Sequence, residues 1–296
     1  MNTITFKEEL LSQSQQNNTV LMKKLPDLDE LEIYPRSVHE YLDEIFFMAK
    51  TGTKKHLYIY YEDTGDKIAL KFEGSVITFN GSQNYYLKKC EQNSFNRKML
   101  QKIFRFTNPH VLGLIDSFGF GDRLGLANAA HIRSLSGSHF KPILAQQSIR
   151  ELSRTHRTPA EVMDAAVWAV FQEGYHDGFG ADADHLKTKE DIDLMVKNGF
   201  NMFTFDPGEY VHNEADTLKD NELIQVVRDQ NWIGLKTNYD DLVVEYVNKE
   251  IVITDKFLIK ASEENLKRAL VKYGDALVHI KNMYQHLKSK HPDYKS

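Results

Sequence analysis

Between about residues 110 and 210, four short apolar runs alternate with helix-like stretches, and this alternation constrains the fold more than any other feature. The runs cover residues 111–115, 142–146, 178–185 and 200–205, and we predict each as a strand. Strands that alternate with helices pair in parallel through right-handed crossovers. The pattern predicts an α/β fold that is a part of a TIM-barrel-like (β/α) barrel, with a doubly wound open sheet as the alternative.

Helix-capping signals support this alternation. Thr158 is followed by Pro159 and Glu161, which is the pattern of a capping box at a helix start. Thr188 and Asp191 form a similar pair. We therefore expect one helix before and one helix after the run at 178–185.

The regions on either side of the alternating stretch have a different character. Residues 1–108 contain β-rich runs at 56–61 and 75–79, with turn signals at 63–66 and 80–81, and predict a small α+β layer. Residues 109–296 form the predicted barrel part, with a charged insertion at about 211–260. Within this insertion we expect a turn at 238–241 and a hairpin of 242–247 with 250–253, before a long helix that opens at Ser262.

Composition excludes several classes of protein. The formal net charge of −5 and the lack of a basic block argue against nucleic acid or an anionic membrane as a partner. The N-terminus lacks the apolar core of a signal peptide, and we expect a cytoplasmic protein. The single cysteine, Cys90, rules out an internal disulfide framework and is interpreted as structural.

Polar residues follow each predicted strand, at the edge where parallel α/β sheets place their active sites. The residues in question are Asp122 and Arg123, Gln147 and Ser148, Asp184 and His185, and Asp206. The sequence therefore predicts an enzyme.

Asp184 and His185 are the most informative pair. A carboxylate can act as a general base, and a neutral imidazole is a common ligand of transition metals. Asp182 alternates with Asp184, so both side chains are expected on one face of the strand. Arg123 suits a substrate carboxylate, although an ion pair with Asp116 or Asp122 is the equal alternative.

Long segments of the chain resemble the tagaturonate epimerase family. The matching runs are 117–125, 145–151, 155–157, 168–175, 178–187 and 200–207, with the closing helix from Tyr273 to Asp293. The family consists of metal-dependent epimerases on a β/α barrel, which interconvert D-tagaturonate and D-fructuronate. The resemblance implies that Asp184 is the proton acceptor and that His185 binds a divalent cation of the Zn, Mn, Co or Ni class. It places the substrate-binding candidates Asp122, Arg123, Gln147, Ser148 and Lys187 on matching segments.

Members of this family continue beyond the point that corresponds to Asp293, and the resemblance places a proton donor and the other metal ligands there. We therefore expect the N-terminal portion of such an enzyme, with part of the active site. It would act on a ketohexuronate together with a complementary C-terminal polypeptide or as a homo-oligomer. A catalytically silent sugar-acid-binding or scaffold fragment and a metal-dependent sugar-acid aldolase are the alternatives. An open half-barrel also predicts incomplete burial of Ile143, Leu144, Phe203 and Phe205.

Overall fold

The computed structural model describes residues 6–14, 21–23, 30–62, 65–78 and 85–294. Its strands are β1 (Leu21–Lys23), β2 (Leu31–Ile33), β3 (His39–Tyr41), β4 (Glu44–Thr51), β5 (Lys54–Glu62), β6 (Gly74–Thr78), β7 (Tyr85–Cys90), β8 (Ser117–Gly121), β9 (Lys141–Ser148), β10 (Gly180–Leu186), β11 (Met202–Phe205), β12 (Glu250–Thr254) and β13 (Phe257–Lys260). Its α-helices are α1 (Phe6–Ser14), α2 (Ser94–Ile103), α3 (Asn128–Ser134), α4 (Ile149–Thr155), α5 (Pro159–Gln172), α6 (Lys189–Lys197), α7 (Asp220–Arg228), α8 (Trp232–Leu235), α9 (Tyr239–Tyr246) and α10 (Glu263–Lys290).

Apolar side chains on both faces make the first sheet a central layer. In the described part it runs in the order β1-β2-β4-β5-β7-β6, with β3 beside β4. Successive side chains of a strand point to opposite faces, so Phe46 joins one buried cluster and Phe47 the other. Helix α5 adds Trp168 to the first cluster, and α1 adds Leu10 to the second. This antiparallel sheet with flanking helices belongs to a compact unit that comprises residues 1–184 and 194–203.

The aromatic run of β5 and the single cysteine both belong to this core. Tyr58, Tyr60 and Tyr61 are buried, so the aromatic run packs within the core. Cys90 is fully buried, and burial raises the pKa of its thiol to about 12. Its structural interpretation is confirmed, because the reactive thiolate is not formed at neutral pH. The turn signal at 80–81 and the first half of the one at 63–66 lie outside the described residues.

The second sheet confirms the predicted alternation of parallel strands and helices. Strands β8 and β10 both pair in parallel with β9, and the order is β11-β10-β9-β8. Helix α3 connects β8 to β9, α4 and α5 connect β9 to β10, and α6 connects β10 to β11. In the described part of the chain this order is an open path, so closure of a barrel stays a prediction.

The predicted first strand of this sheet was wrong, because the strand lies in the segment that follows the predicted one. Residues 111–115 form a loop in which Leu114 is fully exposed, and the strand is Ser117–Gly121. Residues 117–121 pair in parallel with β9, with Ser117 opposite Lys141 and Gly119 opposite Ile143. Pairing with a distant segment, which an apolar run does not display, therefore decides where this strand lies.

The open half-barrel predicted incomplete burial of four apolar side chains in the second sheet, and this prediction was wrong for two of them. Ile143 and Leu144 are buried at 7% and 0% exposure, because they lie in β9 between two neighbouring strands. Their predicted exposure was therefore wrong. Phe203 and Phe205 in β11 are partly exposed, as predicted for the edge of the sheet.

Both capping predictions are confirmed. The hydroxyl of Thr158 accepts a hydrogen bond from the Glu161 amide, the Glu161 carboxylate accepts one from the Thr158 amide, and Pro159 occupies the first turn of α5. At α6, the Asp191 amide donates to Thr188 Oγ1 at 3.1 Å, and the Thr188 amide donates to Asp191 Oδ2 at 3.0 Å. These caps fix where the helices that flank β10 begin.

A second compact unit comprises residues 185–193 and 204–294. Its buried cluster is formed by Ala215, Leu223, Val227, Leu270 and Val271. Helix α10 supplies the last two residues, and it begins with the capping box that Ser262 predicts. Across the described residues, α10 included, no helix combines the length and the apolar character needed to cross a membrane.

The predicted hairpin of this unit was wrong in its first strand. Asn238 caps a helix by accepting a hydrogen bond from the Asp241 amide at 2.9 Å, so most of residues 242–247 belong to α9. The hairpin is formed instead by β12 and β13, whose Ile251 pairs with Ile259. A side-chain cap, which the sequence interpretation took for a turn, decided the local structure.

An ionic cluster connects the C-terminal end of α10 to Asp193 of α6 within the same unit. Nε2 of His286 and Nε2 of His291 lie 2.9 and 2.8 Å from Oδ1 of Asp193, and Nζ of Lys290 lies 2.5 Å from Oδ2. Burial raises the pKa of the Asp193 carboxyl, but the hydrogen bonds from Lys290, His291 and His286 outweigh it. The net pKa lies well below its ordinary value.

Candidate functional site

Parallel pairing brings four of the predicted site residues to one edge of the second sheet. Asp184 of β10 is paired with Ser148 of β9, and Ala183 is paired with Gln147. On the other side of β9, Gly121 is paired with Gln146, so Asp122 follows directly after the last pair. The carboxyl ends of three neighbouring strands therefore meet here, as the sequence pattern predicts.

The middle strand is irregular at this edge. The pairing register shifts between Gly119 and Gly121 and again between Ala181 and Ala183. Ala145 has a φ of 56°, in the left-handed region that residues with a Cβ rarely adopt. Such irregularities re-aim side chains and occur often beside active sites. Both shifts place the extra residue in β9, because three residues of β9 span the step that two residues of β8 or β10 cover.

The carboxylate of Asp122 organises the loop after β8. Oδ1 accepts hydrogen bonds from the amides of Gly125 and Leu126 at 2.8 and 3.1 Å. Oδ2 accepts from the amides of Ala127 and Asn128 at 2.7 and 3.1 Å. Both oxygens therefore bind the backbone that leads into α3. This role shapes the site, and direct contact of Asp122 with a substrate stays a prediction.

Arg123 and Ser148 are linked through one glutamate. Nη2 of Arg123 lies 2.5 Å from Oε1 of Glu151, so the structural ion pair exists, although with a partner that the sequence interpretation did not name. Ser148 begins α4 and shares a capping box with Glu151. The Arg123 side chain is 71% exposed, which leaves most of its guanidinium accessible. Its prediction as a carboxylate-binding group therefore still stands.

The sequence interpretation missed a structural role of Arg157. Its Nη1 donates to the carbonyl oxygen of Asp122 and to Oε1 of Gln147, both at 2.9 Å. Burial lowers the pKa of Arg157, although Asp122 and Glu161 oppose this shift, and a guanidinium stays charged in proteins. Gln147 also donates to Thr155 Oγ1 at 3.0 Å. Arg157 thus connects the loop after β8 to the end of β9 through hydrogen bonds. No local sequence motif indicates these contacts.

Two carboxylates of β10 have different surroundings. Asp182 is almost fully buried, at 2% exposure, and its Oδ2 accepts a hydrogen bond from Nε2 of Gln146 at 3.2 Å. Asp184 is half-buried at the edge of the sheet. The accessible member of the pair is therefore Asp184, the residue predicted to act as the base.

His185 and Lys187 belong to the second unit. His185 has a φ of 54°, so the backbone turns sharply directly after Asp184, and its side chain is exposed. Nζ of Lys187 lies 2.7 Å from Oε1 of Glu209. The substrate-binding role of Lys187 and the metal-binding role of His185 both stay predictions.

The described residues alone do not build a metal site. No group of three or more His, Cys, Asp or Glu side chains within them could hold a metal ion. Protein metal sites use three or more ligands, and His185 supplies a single imidazole. A metal bound at His185 therefore needs ligands from outside the described residues.

The family of the chain follows from comparison with known proteins. The model of the tagaturonate epimerase family matches residues 34–295, which include every candidate site residue and extend over most of both units. The chain belongs to the tagaturonate epimerase family. A curated tagaturonate/fructuronate epimerase from Thermotoga maritima is 38% identical over 270 residues, which cover 89% of this chain and 52% of the relative.

Solved structures of the tagaturonate epimerase family agree with this assignment. A glycerol complex and the native form of a fructuronate-tagaturonate epimerase from Cohnella laeviribosi match with TM-scores of 0.76 and 0.75. Both are 34% identical in sequence, and the matches cover 89% of this chain and 50% of each structure. The chain thus spans about half the length of the relatives that it matches.

Proposed function

We propose that this chain is the N-terminal portion of a tagaturonate/fructuronate epimerase and that Asp184 is its proton acceptor. The observation that carries the proposal is the position of Asp184, half-buried beside Ser148 at the carboxyl edge of the parallel sheet. The family match over residues 34–295 supports the substrate class, a ketohexuronate.

The chemistry of the substrate favours a retro-aldol route. The carbon that is inverted lies β to the ketone, so its C–H bond is not acidic enough for direct removal of the proton. Asp184 instead accepts the proton of the hydroxyl on that carbon. The electron pair of the O–H bond forms an aldehyde, and the neighbouring C–C bond breaks to leave an enediolate. Re-addition to the opposite face of the aldehyde, with return of the proton, gives the epimer.

The neighbouring side chains suit a hydroxylated acid. Arg123 offers an exposed guanidinium for the carboxylate of the sugar acid, held in place by Glu151. Ser148 is paired with Asp184, and its hydroxyl is a candidate hydrogen-bonding group for the substrate. Gln147 is kept as a substrate-binding candidate, although its side-chain oxygen and nitrogen already bind Arg157 and Thr155. Asp122 positions the loop that carries Arg123, and Lys187 is the remaining substrate-binding candidate.

We further propose that the complete enzyme is metal-dependent and that His185 is one of its ligands. The divalent cation, of the Zn, Mn, Co or Ni class, would act as a Lewis acid on oxygens of the substrate. The other ligands would come from the part of the enzyme that this chain does not represent.

The partner in this proposal is a complementary C-terminal polypeptide, with a second copy of the chain as the alternative. The relatives are about twice as long as the matched region, so a polypeptide of the remaining length would complete the proposed enzyme. The β12–β13 hairpin supports it as well, because its apolar side chains are exposed on both faces: Val252 at 68%, Leu258 at 52% and Phe257 at 59%. An isolated two-stranded hairpin is marginal in water.

Deuterium labelling tests the route. The chain is mixed with a polypeptide that corresponds to the part of the Thermotoga maritima relative outside the matched region. The mixture is incubated with D-fructuronate in D₂O, and the reaction is followed by NMR. Retro-aldol epimerisation retains hydrogen on the inverted carbon, since that C–H bond never breaks. Deuterium at that carbon would refute the route and favour proton exchange. Release of two fragments instead of an epimer would identify an aldolase.

A catalytically silent sugar-acid-binding or scaffold fragment is the second candidate, favoured by the absence of a three-ligand cluster among the described side chains. The same labelling experiment, repeated with the chain alone, distinguishes it. Binding of D-fructuronate without turnover, in both the presence and the absence of the added polypeptide, would support the silent fragment.

A further inference from the structure

A cavity lies in the first unit, and none of its lining residues belongs to the edge of the sheet that carries Asp184. It has a volume of about 340 Å³, within the usual range of small-molecule sites. Its walls come from the segment before β3, the C-terminal end of α3 and the C-terminal end of α5. The lining includes Tyr34, Arg36, Arg133, Ser136, Gln172 and Glu173.

The inner wall of the cavity is a pre-formed polar network. Gln172 and Glu173 are only 3% and 7% exposed. Oε1 of Glu173 accepts a hydrogen bond from Gln172 Nε2 at 2.8 Å, and Oε2 lies 3.1 Å from Nε of Arg133. Lys55 donates to Gln172 Oε1 at 2.7 Å. The groups are therefore held in place before any ligand arrives, which reduces the entropy lost on binding.

Positive charge exceeds negative charge around this cavity. Arg36 and Arg133 line the cavity with a single carboxylate, that of Glu173, and Lys55 binds the lining Gln172. Arg36 is exposed, and its guanidinium has no ion pair or hydrogen bond within the described part of the chain. Burial lowers the pKa of Lys55; Glu173 and Glu32 oppose this shift, and Arg133 and Lys50 add to it. An anionic ligand would relieve the repulsion among these cations.

Close packing of the backbone fixes the position of Arg36. A Cβ at Gly174 would lie 2.3 Å from the carbonyl oxygen of Arg36, and Gly174 has a φ of +53°. Only glycine permits both the close approach and this conformation. The Arg36 segment is therefore held against the end of α5, which closes one side of the cavity.

We propose that this cavity binds a small hydroxylated carboxylate, of the sugar-acid class, as a second site separate from the candidate catalytic edge. Arg36 and Arg133 bind the carboxylate, and Gln172, Ser136 and Glu173 exchange hydrogen bonds with the hydroxyl groups. The ring of Tyr34 packs on the C–H face of the ligand. The site does not depend on the proposed epimerisation, because none of its residues belongs to the catalytic edge.

Isothermal titration with D-glucuronate tests this site, with D-glucose and inorganic phosphate as comparison probes. We expect saturable one-site binding of D-glucuronate to the full chain. Arg36→Gln and Arg133→Gln should each weaken it about tenfold, as expected for loss of a charge-assisted hydrogen bond. Arg154→Gln is the matched control, since it changes an exposed arginine outside the cavity.

The titration of Asp184→Asn separates this site from the proposed function. Unchanged D-glucuronate affinity in that variant, together with the losses at Arg36 and Arg133, supports the second site whether or not the chain is an epimerase. Loss of binding in Asp184→Asn but not in Arg36→Gln would overturn the proposal, because the catalytic edge would then hold the ligand. Equal binding of D-glucose, or binding of phosphate alone, would also overturn it. Circular dichroism spectra that match wild type establish that each variant is folded.

Discussion

Replacement of Asp122 by alanine should destabilise the chain. The carboxylate accepts four backbone hydrogen bonds, of which those from Gly125, Ala127 and Asn128 are part-buried and that from Leu126 is exposed. A net value of about 1 kcal/mol for each part-buried bond gives about 3 kcal/mol, and water replaces the exposed one at little cost. Helix-cap replacements typically cost up to about 2 kcal/mol, so we expect about 2 to 3 kcal/mol in the free energy of unfolding.

Urea denaturation measures this loss. With a slope of about 2 to 3 kcal/mol per molar urea, the midpoint of unfolding should fall by about 1 M. Asp122→Asn should have an intermediate effect. Its amide oxygen can accept the two bonds at Oδ1, while its NH₂ group meets the amides of Ala127 and Asn128, which are also donors.

The matched control is Asp116→Ala. Asp116 pairs with His139, and both side chains are about 70% exposed, so this change should cost less than about 1 kcal/mol. An Asp122→Ala midpoint that is no lower than the Asp116→Ala midpoint would refute the structural role. Asp122 would then be available for the substrate contact that the family resemblance implies.

Three other changes have clear expected outcomes. Burial, followed by the charge of His176, lowers the pKa of His39 to about 4, so the folded state resists a proton that the unfolded state accepts below about pH 6.5. The free energy of unfolding should therefore have its full value above pH 6.5 and fall by about 3 kcal/mol as the pH drops to 4. Melting temperatures measured across this pH range should fall less steeply for His39→Phe than for wild type. A slope as steep in His39→Phe as in wild type would contradict this. Asp193→Asn should lower the free energy of unfolding by about 1 to 2 kcal/mol at pH 7. This difference should be smaller at pH 3, where the unfolded wild-type chain binds a proton at Asp193 that the folded chain, with its much lower pKa, does not bind, and urea titrations at pH 7 and pH 3 would detect the change. Equilibrium dialysis of the chain alone against Zn²⁺ should show no tight binding that His185→Ala removes, because one imidazole is not a metal site; a tight site lost in that variant would show that the chain holds a complete ligand set.

The sequence predicts the alternating part of the fold well because its signals are local. The caps at Thr158 and Thr188 lie within three residues of their partners, and both helices begin where the pattern predicts. The parallel pairing follows from the alternation of strands and helices along the chain, and it places Asp184 beside Ser148. These features depend on spacing along the chain, which a sequence displays directly.

The failures have a different physical origin. Residues 111–115 are apolar enough for a strand, but Ser117–Gly121 is the segment that pairs with β9. At 238–241, an asparagine cap and a turn have similar compositions, and the following helix is favoured by its packing in the second unit. In both cases a contact with a distant segment selects between two structures that the local sequence allows.

Side-chain partners in the candidate site follow the same rule. The pairing of Arg123 with Glu151 spans β9 and part of α4, and that of Arg157 with Asp122 is still longer. No local motif signals either contact. The cavity near Glu173 is likewise lined by three separate segments of the chain, so no local sequence pattern indicates it.

Epimerisation of D-fructuronate, followed by NMR, is the most direct measurement of the central claim. The sample is the chain supplemented with a polypeptide for the part of the Thermotoga maritima relative that it does not cover. D-Tagaturonate should form with wild type. With Asp184→Asn, the rate should fall by a factor of about 10² to 10⁴, the usual contribution of a general base. Formation of D-tagaturonate at the wild-type rate by Asp184→Asn would contradict the account.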